Sequence, residues 1–252
     1  MAVITEHPAT GAGTSWRYCQ EAGRKFDPRV FDEEQLMAAG LVTGAASAGR
    51  GNTFFFTSQG QALVLRHYHR GGLVRHLSRD RYVYTGLERT RACREFAVLS
   101  KLCEQGFPAP RPYACRVVRR GLLYTASLVT HRLDGRTLAE RLTEKTSAPP
   151  GLAAWRAMGD TIAGLHALGC EHADLNAHNI MLDEHGSVSI IDFDRARFRS
   201  LPSGNADSGW CLANIRRLER SLAKLSQPQV YAEGFAALQQ QWRNGLGAHH
   251  SP

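Results

Sequence analysis

Residues 170–194 read CEHADLNAHNIMLDEHGSVSIIDFD, and the order of polar groups in this stretch decides how the rest of the chain is read. Asp174 is followed five positions on by Asn179 and eighteen positions on by Asp192. Between them lie an apolar triplet, Ile180 to Leu182, a polar turn, Asp183 to Gly186, and a strand-like run, Val188 to Ile191. The spacing predicts a loop carrying Asp174 and Asn179, then a tight hairpin that returns Asp192 beside them at a strand end. Phosphoryl transfer asks a protein for this set: a carboxylate to orient and deprotonate an acceptor hydroxyl, here Asp174, and oxygen ligands for Mg²⁺ on ATP, here Asn179 and Asp192. Mg²⁺ takes one or two carboxylates and fills its other positions with phosphate and water. Taken singly, His172-Ala173-Asp174 reads as a turn and Asp192-Phe193-Asp194 as a strand end; their order and context carry the chemical reading.

The 252 residues suffice for one large domain or two small lobes, and a hydrophobic fraction of 43% allows a sizeable core. No apolar run reaches transmembrane length, and Met1 to Pro8 lack a basic segment followed by an apolar one, so a cytoplasmic protein is expected. The six cysteines form no Cys-x-x-Cys pair, and buried free thiols are expected rather than zinc or disulfides. Net charge is +8, supplied almost wholly by arginine, since the only lysines are Lys25, Lys101, Lys145 and Lys224. Such a balance favours an anionic partner: a phosphate-rich small molecule, nucleic acid or an anionic membrane.

Ahead of the loop, residues 1–25 read as a loose arm or early strand, and Asp32-Glu33-Glu34 as a helix start. The Gly-rich run from Gly44 to Asn52 feeds a strand at Thr53 to Phe56, so that backbone near Gly49 and Gly51 can lie over a triphosphate; by turn chemistry an ordinary hairpin is as well supported. Gln61 to Tyr68 read as the next strand. No lysine occurs between Lys25 and Lys101, so Arg66 is the best-placed cation for nucleotide phosphates, with a bidentate fork in place of an ammonium. Residues 66–94 hold eight arginines against Asp80 and Glu88, with Tyr68, Tyr82 and Tyr84 interleaved. The stretch fits nucleic acid, an acidic lipid-linked sugar and its membrane, or a solvated basic face. Glu88 to Leu102 have helical spacing, with Ala92, Phe96, Leu99 and Cys103 on one stripe. Glu95 borders the stripe and is the candidate partner of Arg66, with Glu88 the second choice.

Phe107 to Pro112 form a stiff linker into strands at Tyr113–Arg119 and Leu122–Val129, and Thr130 to Gly135 read as a hinge. A helix carrying Trp155, Met158, Ile162, Leu165 and Leu168 is expected to stop at Gly169. Beyond Asp194 no Ala-Pro-Glu motif follows, which points to a non-peptide acceptor. Cys211 to Leu225 should form a helix with a wet basic face or lie on a membrane surface, and the tail from Asn244 is expected to fray.

The His172-x-Asp174-x-x-x-x-Asn179 loop and the Asp192-Phe193 pair resemble the protein-kinase signatures. Together with Leu65 to Leu73, Tyr82 to Arg91 and Asp174 to Asn179, they are similar to the bacterial 3-deoxy-D-manno-octulosonic acid (Kdo) kinases over most of the chain. That resemblance implies an α+β, two-lobed protein-kinase-like fold: an arm over 1–30, a small β-rich N-lobe with one long helix over 31–129, a hinge over 130–135, a mainly helical C-lobe over 136–245 and a frayed tail over 246–252. It implies ATP and Mg²⁺ as cofactors, Asp174 as the catalytic residue, and a Kdo-bearing lipid A precursor phosphorylated on the 4-hydroxyl of Kdo. The expected place is the cytoplasmic side of the bacterial inner membrane, peripherally on its anionic surface, with no nucleic acid partner. A heptose kinase of the lipopolysaccharide core shares every catalytic residue. An antibiotic phosphotransferase would want an acidic cleft, and a non-enzymatic nucleotide-binding scaffold leaves Asp174, Asn179 and Asp192 unexplained.

Overall fold

The computed structural model describes residues 3–10, 13–20, 25–46, 53–68, 82–144, 149–200 and 209–248. The chain divides into two units, one of residues 1–104 and 110–133 and one of residues 105–109 and 134–252.

The first unit is built on an antiparallel sheet. Its strands are β1 (Val3–Thr10), β2 (Thr14–Gln20), β3 (Val42–Ala46), β4 (Thr53–Ser58), β5 (Gln61–His67), β6 (Tyr82–Val83), β7 (Pro112–Arg120) and β8 (Leu123–His131). The order is β1-β2-β7-β8-β5-β4-β3, with β6 pairing with β8. Between β2 and β3 come a 3₁₀ turn, Pro28–Phe31, and α1 (Glu33–Ala38), whose first turn is capped by the Asp32 carboxylate accepting from Gln35 N at 3.0 Å. The helix α2 (Arg91–Glu104) precedes β7. Strict alternation in β4 sends Phe54 and Phe56 inward, where they meet Leu63 and Leu65 of β5, Phe31, Leu36 and Val129. Gln59 and Gly60 turn the β4–β5 hairpin, both with positive φ, as a tight two-residue connection requires.

Of the two readings of residues 1–25, the early strand holds and the loose arm does not where they are described: β1 and β2 form a hairpin, and β2 extends the sheet by pairing with β7 from Thr14↔Val118 to Tyr18↔Ala114. The Gly-rich run is also shorter than its composition indicates, because Gly44, Ala45 and Ala46 belong to β3 and pair with β4. The segment expected as a hinge begins inside β8, which runs to His131.

The second unit contains β9 (Arg136–Thr137), α3 (Leu138–Thr143), α4 (Leu152–Ala167), β10 (Cys170–Glu171), β11 (Ile180–Leu182), β12 (Val188–Ile190), β13 (Arg197–Phe198), α5 (Gly209–Leu225) and α6 (Pro228–Ala248). Its core is the α4–α6 pair. Tyr231, Phe235, Leu238, Trp242 and Leu246 recur every three or four residues along α6 and are all buried. The helices approach so closely that a Cβ on Gly159 would lie 2.5 Å from Leu238 O and one on Gly245 2.8 Å from Ala163 Cβ. The tail therefore does not fray at Asn244 or at 246: α6 continues to Ala248, and Leu246 is buried.

Candidate active site

Helix α4 closes on Gly169, whose φ of +72° suits glycine in a left-handed helix end. β10 then pairs with β13, and Glu171 is held by Arg197 at 2.7 Å and by Arg199. From here a ring of local hydrogen bonds shapes the loop. The buried His172 ring accepts from Asp174 N through Nδ1 (3.3 Å) and donates from Nε2 to Ile191 O (3.0 Å). Asn179 Nδ2 donates to Asp174 O (2.9 Å), and Ile191 N donates to Asn179 O (2.9 Å). The Asn176 side chain caps the short turn before Asn179 by accepting from His178 N at 2.8 Å.

β11 and β12 pair from Ile180↔Ile190 to Leu182↔Val188. Asp183 holds their turn by accepting from His185 N (2.9 Å) and Ser187 N (2.7 Å), and the bond from Ser187 keeps its carboxyl below the usual range. The hairpin thereby delivers Asp192, whose φ of +64° places it in the left-handed region that Asp tolerates better than most residues. Phe193 is buried with its ring edge-on to His172, centroids 4.9 Å apart, and to Phe107 at 6.5 Å. Asp174, Asn179 and Asp192 are in this way tied into one bonded loop.

Helix α5 adds three polar residues at helical spacing. Asn214 accepts from His172 N (3.3 Å) and donates to His172 O (2.9 Å); Arg217 Nη1 donates to Asp174 Oδ1 (3.2 Å); Ser221 Oγ accepts from Ala177 N (3.2 Å). Asn214 Oδ1 also accepts from His166 Nε2 at 3.2 Å, and the other ring nitrogen of His166 accepts from Trp242 Nε1 at 2.9 Å. Both histidines are neutral: burial lowers the pKa of His166 to about 4 and, as the leading cause, lowers that of His172. Reading α5 as a packing or membrane helix misses this role. The available signal was Asn214, a polar residue beside the apolar stripe of Ile215 and Leu218, with Arg217 and Ser221 three and seven positions on.

In the first unit Arg66, on β5, makes an ion pair with Glu95 on α2. Glu95 is buried and also accepts from Tyr68 Oη at 2.5 Å; burial raises the Tyr68 pKa well above its ordinary value, so the hydroxyl stays a donor. Glu88, the second choice, instead holds Arg17 through two bonds of 3.2 and 2.5 Å, which keep the Glu88 carboxyl below the usual range. Gly49 and Gly51 lie outside the described residues, as do Arg70, Arg75, Arg79 and Arg81. Of the other arginines between 66 and 94, Arg91 bonds to Tyr82 and stacks over Tyr68, while Arg89 and Arg94 are exposed.

No group of three or more His, Cys, Asp or Glu side chains able to hold a metal exists among the described residues. Mg²⁺ on a nucleotide does not need one, since phosphate and water complete its shell. Asn179 fits as an oxygen donor: its Nδ2 is occupied by Asp174 O, so Oδ1 is the atom it offers a cation. The profile of the lipopolysaccharide kinase (Kdo/WaaP) family matches residues 41–242. The chain belongs to that family. A 3-deoxy-D-manno-octulosonic acid kinase of Stenotrophomonas maltophilia is 39% identical over 219 residues, covering 82% of this chain and 84% of the relative. Another, of Vibrio parahaemolyticus, is 40% identical over 196 residues, covering 77% and 78%. A co-crystal structure of WbdD with a kinase inhibitor aligns at a TM-score of 0.48 and 17% identity over 81% of this chain and 45% of that one. This kinase is a phosphotransferase with an alcohol acceptor, and its α+β chain has a sheet-rich part followed by a largely helical part. No helix among the described residues is long and apolar enough to cross a membrane.

Proposed function

We propose that the protein is a Kdo kinase that phosphorylates the 4-hydroxyl of Kdo on a lipid A precursor. The observation that carries this reading is the bonded loop of Asp174, Asn179 and Asp192 in a chain whose relatives at 39–40% identity are named for that sugar acid. ATP supplies the phosphoryl group, and Mg²⁺ supplies positive charge against its phosphate oxygens. Asp174 orients the acceptor hydroxyl and takes its proton; its side chain is 59% exposed and so accessible to a sugar. Asn179 and Asp192 hold the metal. Arg66 holds nucleotide phosphate, with Glu95 and Tyr68 fixing the strand-borne guanidinium.

The acceptor is carried by a lipid, so the protein has to work at an anionic leaflet. A net charge of +8, with exposed arginines such as Arg89 and Arg94, supports peripheral binding there. Binding to anionic vesicles should weaken as salt rises toward a Debye length of about 8 Å at physiological ionic strength.

Labelled ATP offered with lipid A precursor, with and without Kdo, tests the acceptor. Label should enter only the Kdo-bearing lipid. Equal labelling of both removes the assignment, and labelling of a heptose-bearing core alone replaces it with a heptose kinase.

A further inference from the structure

Arg217 lies where it can read the acceptor. Its guanidinium touches the carboxylate of Asp174, 3.2 Å from Nη1 to Oδ1, and both side chains face solvent, Arg217 46% exposed and Asp174 59%. An ion pair this exposed contributes little to stability, so it is a poor reason to place an arginine on the residue that must receive an acceptor hydroxyl. The backbone it stands on is well fixed: Asn214 and Ser221, one turn to either side on α5, hold His172 and Ala177. The guanidinium is thus a half-exposed charge on a hydrogen-bonded support, and its planar fork matches a carboxylate.

We propose that Arg217 is the acceptor-recognition residue: its guanidinium, parked on Asp174 in the free protein, passes to the carboxylate of an ulosonic-acid acceptor. The transfer replaces one carboxylate partner with another and leaves the Asp174 oxygen open to the acceptor hydroxyl. A sugar with a hydroxyl but no carboxylate gives Arg217 nothing to move to, so Asp174 stays engaged. The same side chain in this way links selection of an acidic sugar to release of the base. The inference rests on the Kdo kinase reading and adds to it the residue that recognises the acid.

The test compares two acceptors, Kdo-bearing lipid A precursor and the same lipid with the Kdo carboxyl converted to the primary amide, across wild type, Arg217→Lys and Arg217→Ala. Hydrogen bonds to charged groups imply that wild type should prefer the carboxylate by roughly 10- to 100-fold in kcat/KM. Arg217→Ala should lose that preference, chiefly through acceptor KM and with the KM for ATP unchanged, and Arg217→Lys should fall between. Loss of rate by Arg217→Ala on both acceptors alike, with the preference retained, overturns the proposal by making the pair structural. Absence of any preference in the wild type also overturns it. If wild type transfers phosphate to neither lipid, the Kdo reading itself falls and this inference with it.

Discussion

Asn214 grips the main chain of His172 from both sides, its Oδ1 accepting from His172 N and its Nδ2 donating to His172 O. Two residues on stands Asp174, whose own N–H is bonded to the His172 ring. Packing of α5 is therefore translated, through one buried amide, into the position of the candidate base. The same amide receives His166 from α4, which receives Trp242 from α6, so three helices converge on the loop.

Replacing Asn214 by Leu keeps the branched outline and removes these bonds, leaving a buried N–H and C=O of His172 without their partner. Each such group costs about 1–3 kcal/mol, so Asn214→Leu, which strands two, should lose about 2–6 kcal/mol in urea unfolding. In the folded variant, kcat should fall more than the KM for ATP changes. A stability loss within the ±0.5 kcal/mol typical of neutral surface changes would show that the amide is not what holds the loop.

The buried histidines make the fold acid-sensitive. Burial holds His166 at about 4 against an ordinary 6.5, so in between the unfolded chain binds a proton that the native state refuses. Stability then rises with pH across this window, is complete above about 6.5 and is lost as pH falls toward 4. His166 alone should cost about 2 kcal/mol between pH 7.5 and pH 5, and His172, shifted the same way, adds to it. Urea midpoints at the two pH values should fall accordingly, with a shallower dependence in His166→Gln. An identical slope in the variant would remove His166 as the cause.

Chemistry and metal separate by substitution. Asp174→Asn should fold as wild type, because His172 and Asn179 bond only its main-chain N and O and the exposed Arg217 pair contributes little to stability, yet lose about 10²–10⁴-fold in kcat, the usual worth of a general base. Asn179→Ala and Asp192→Ala should shift the Mg²⁺ requirement upward, Asp192 more because it supplies charge as well as an oxygen. A Mg²⁺ titration of turnover reads both, and a wild-type enzyme indifferent to Mg²⁺ would refute the ligand assignment.

The loop from His172 to Asp192 was legible in the sequence because its bonds are local: a capped turn, a two-stranded hairpin and contacts spanning at most nineteen residues. Arg217 on Asp174 was not, since that contact spans 43 residues and depends on how α5 packs. The β1–β2 hairpin was obscured for a related reason: its register is set by β7, a hundred residues on, and not by a strong pattern of its own. Gly245 and Gly247 in the last helix read as breakers, yet at Gly245 the missing Cβ is what lets α6 pass Ala163 closely. Burial of Trp242 and Leu246 outweighs the helix cost of the two glycines, about 1 kcal/mol each.

Arg66 and Glu95 form a pair in which one partner is far more buried than the other, with side-chain exposures of 25% and 3%. Removing the glutamate strips the guanidinium of its main anchor and leaves the Tyr68 hydroxyl without the carboxylate it donates to. Glu95→Ala should therefore lose about 2–3 kcal/mol, below the figure for a fully buried pair because Arg66 reaches solvent. Arg66→Ala leaves the buried carboxylate behind and should be comparably destabilised, with a raised KM for ATP in the fraction that folds. Arg66→Lys keeps a charge for Glu95 but forfeits the fork. It should restore most of the stability and only part of the ATP affinity. That split, read by urea unfolding beside ATP titration, distinguishes a phosphate-binding guanidinium from a purely structural ion pair: if Arg66→Lys regains both together, or if Arg66→Ala binds ATP as wild type does, Arg66 serves the fold alone.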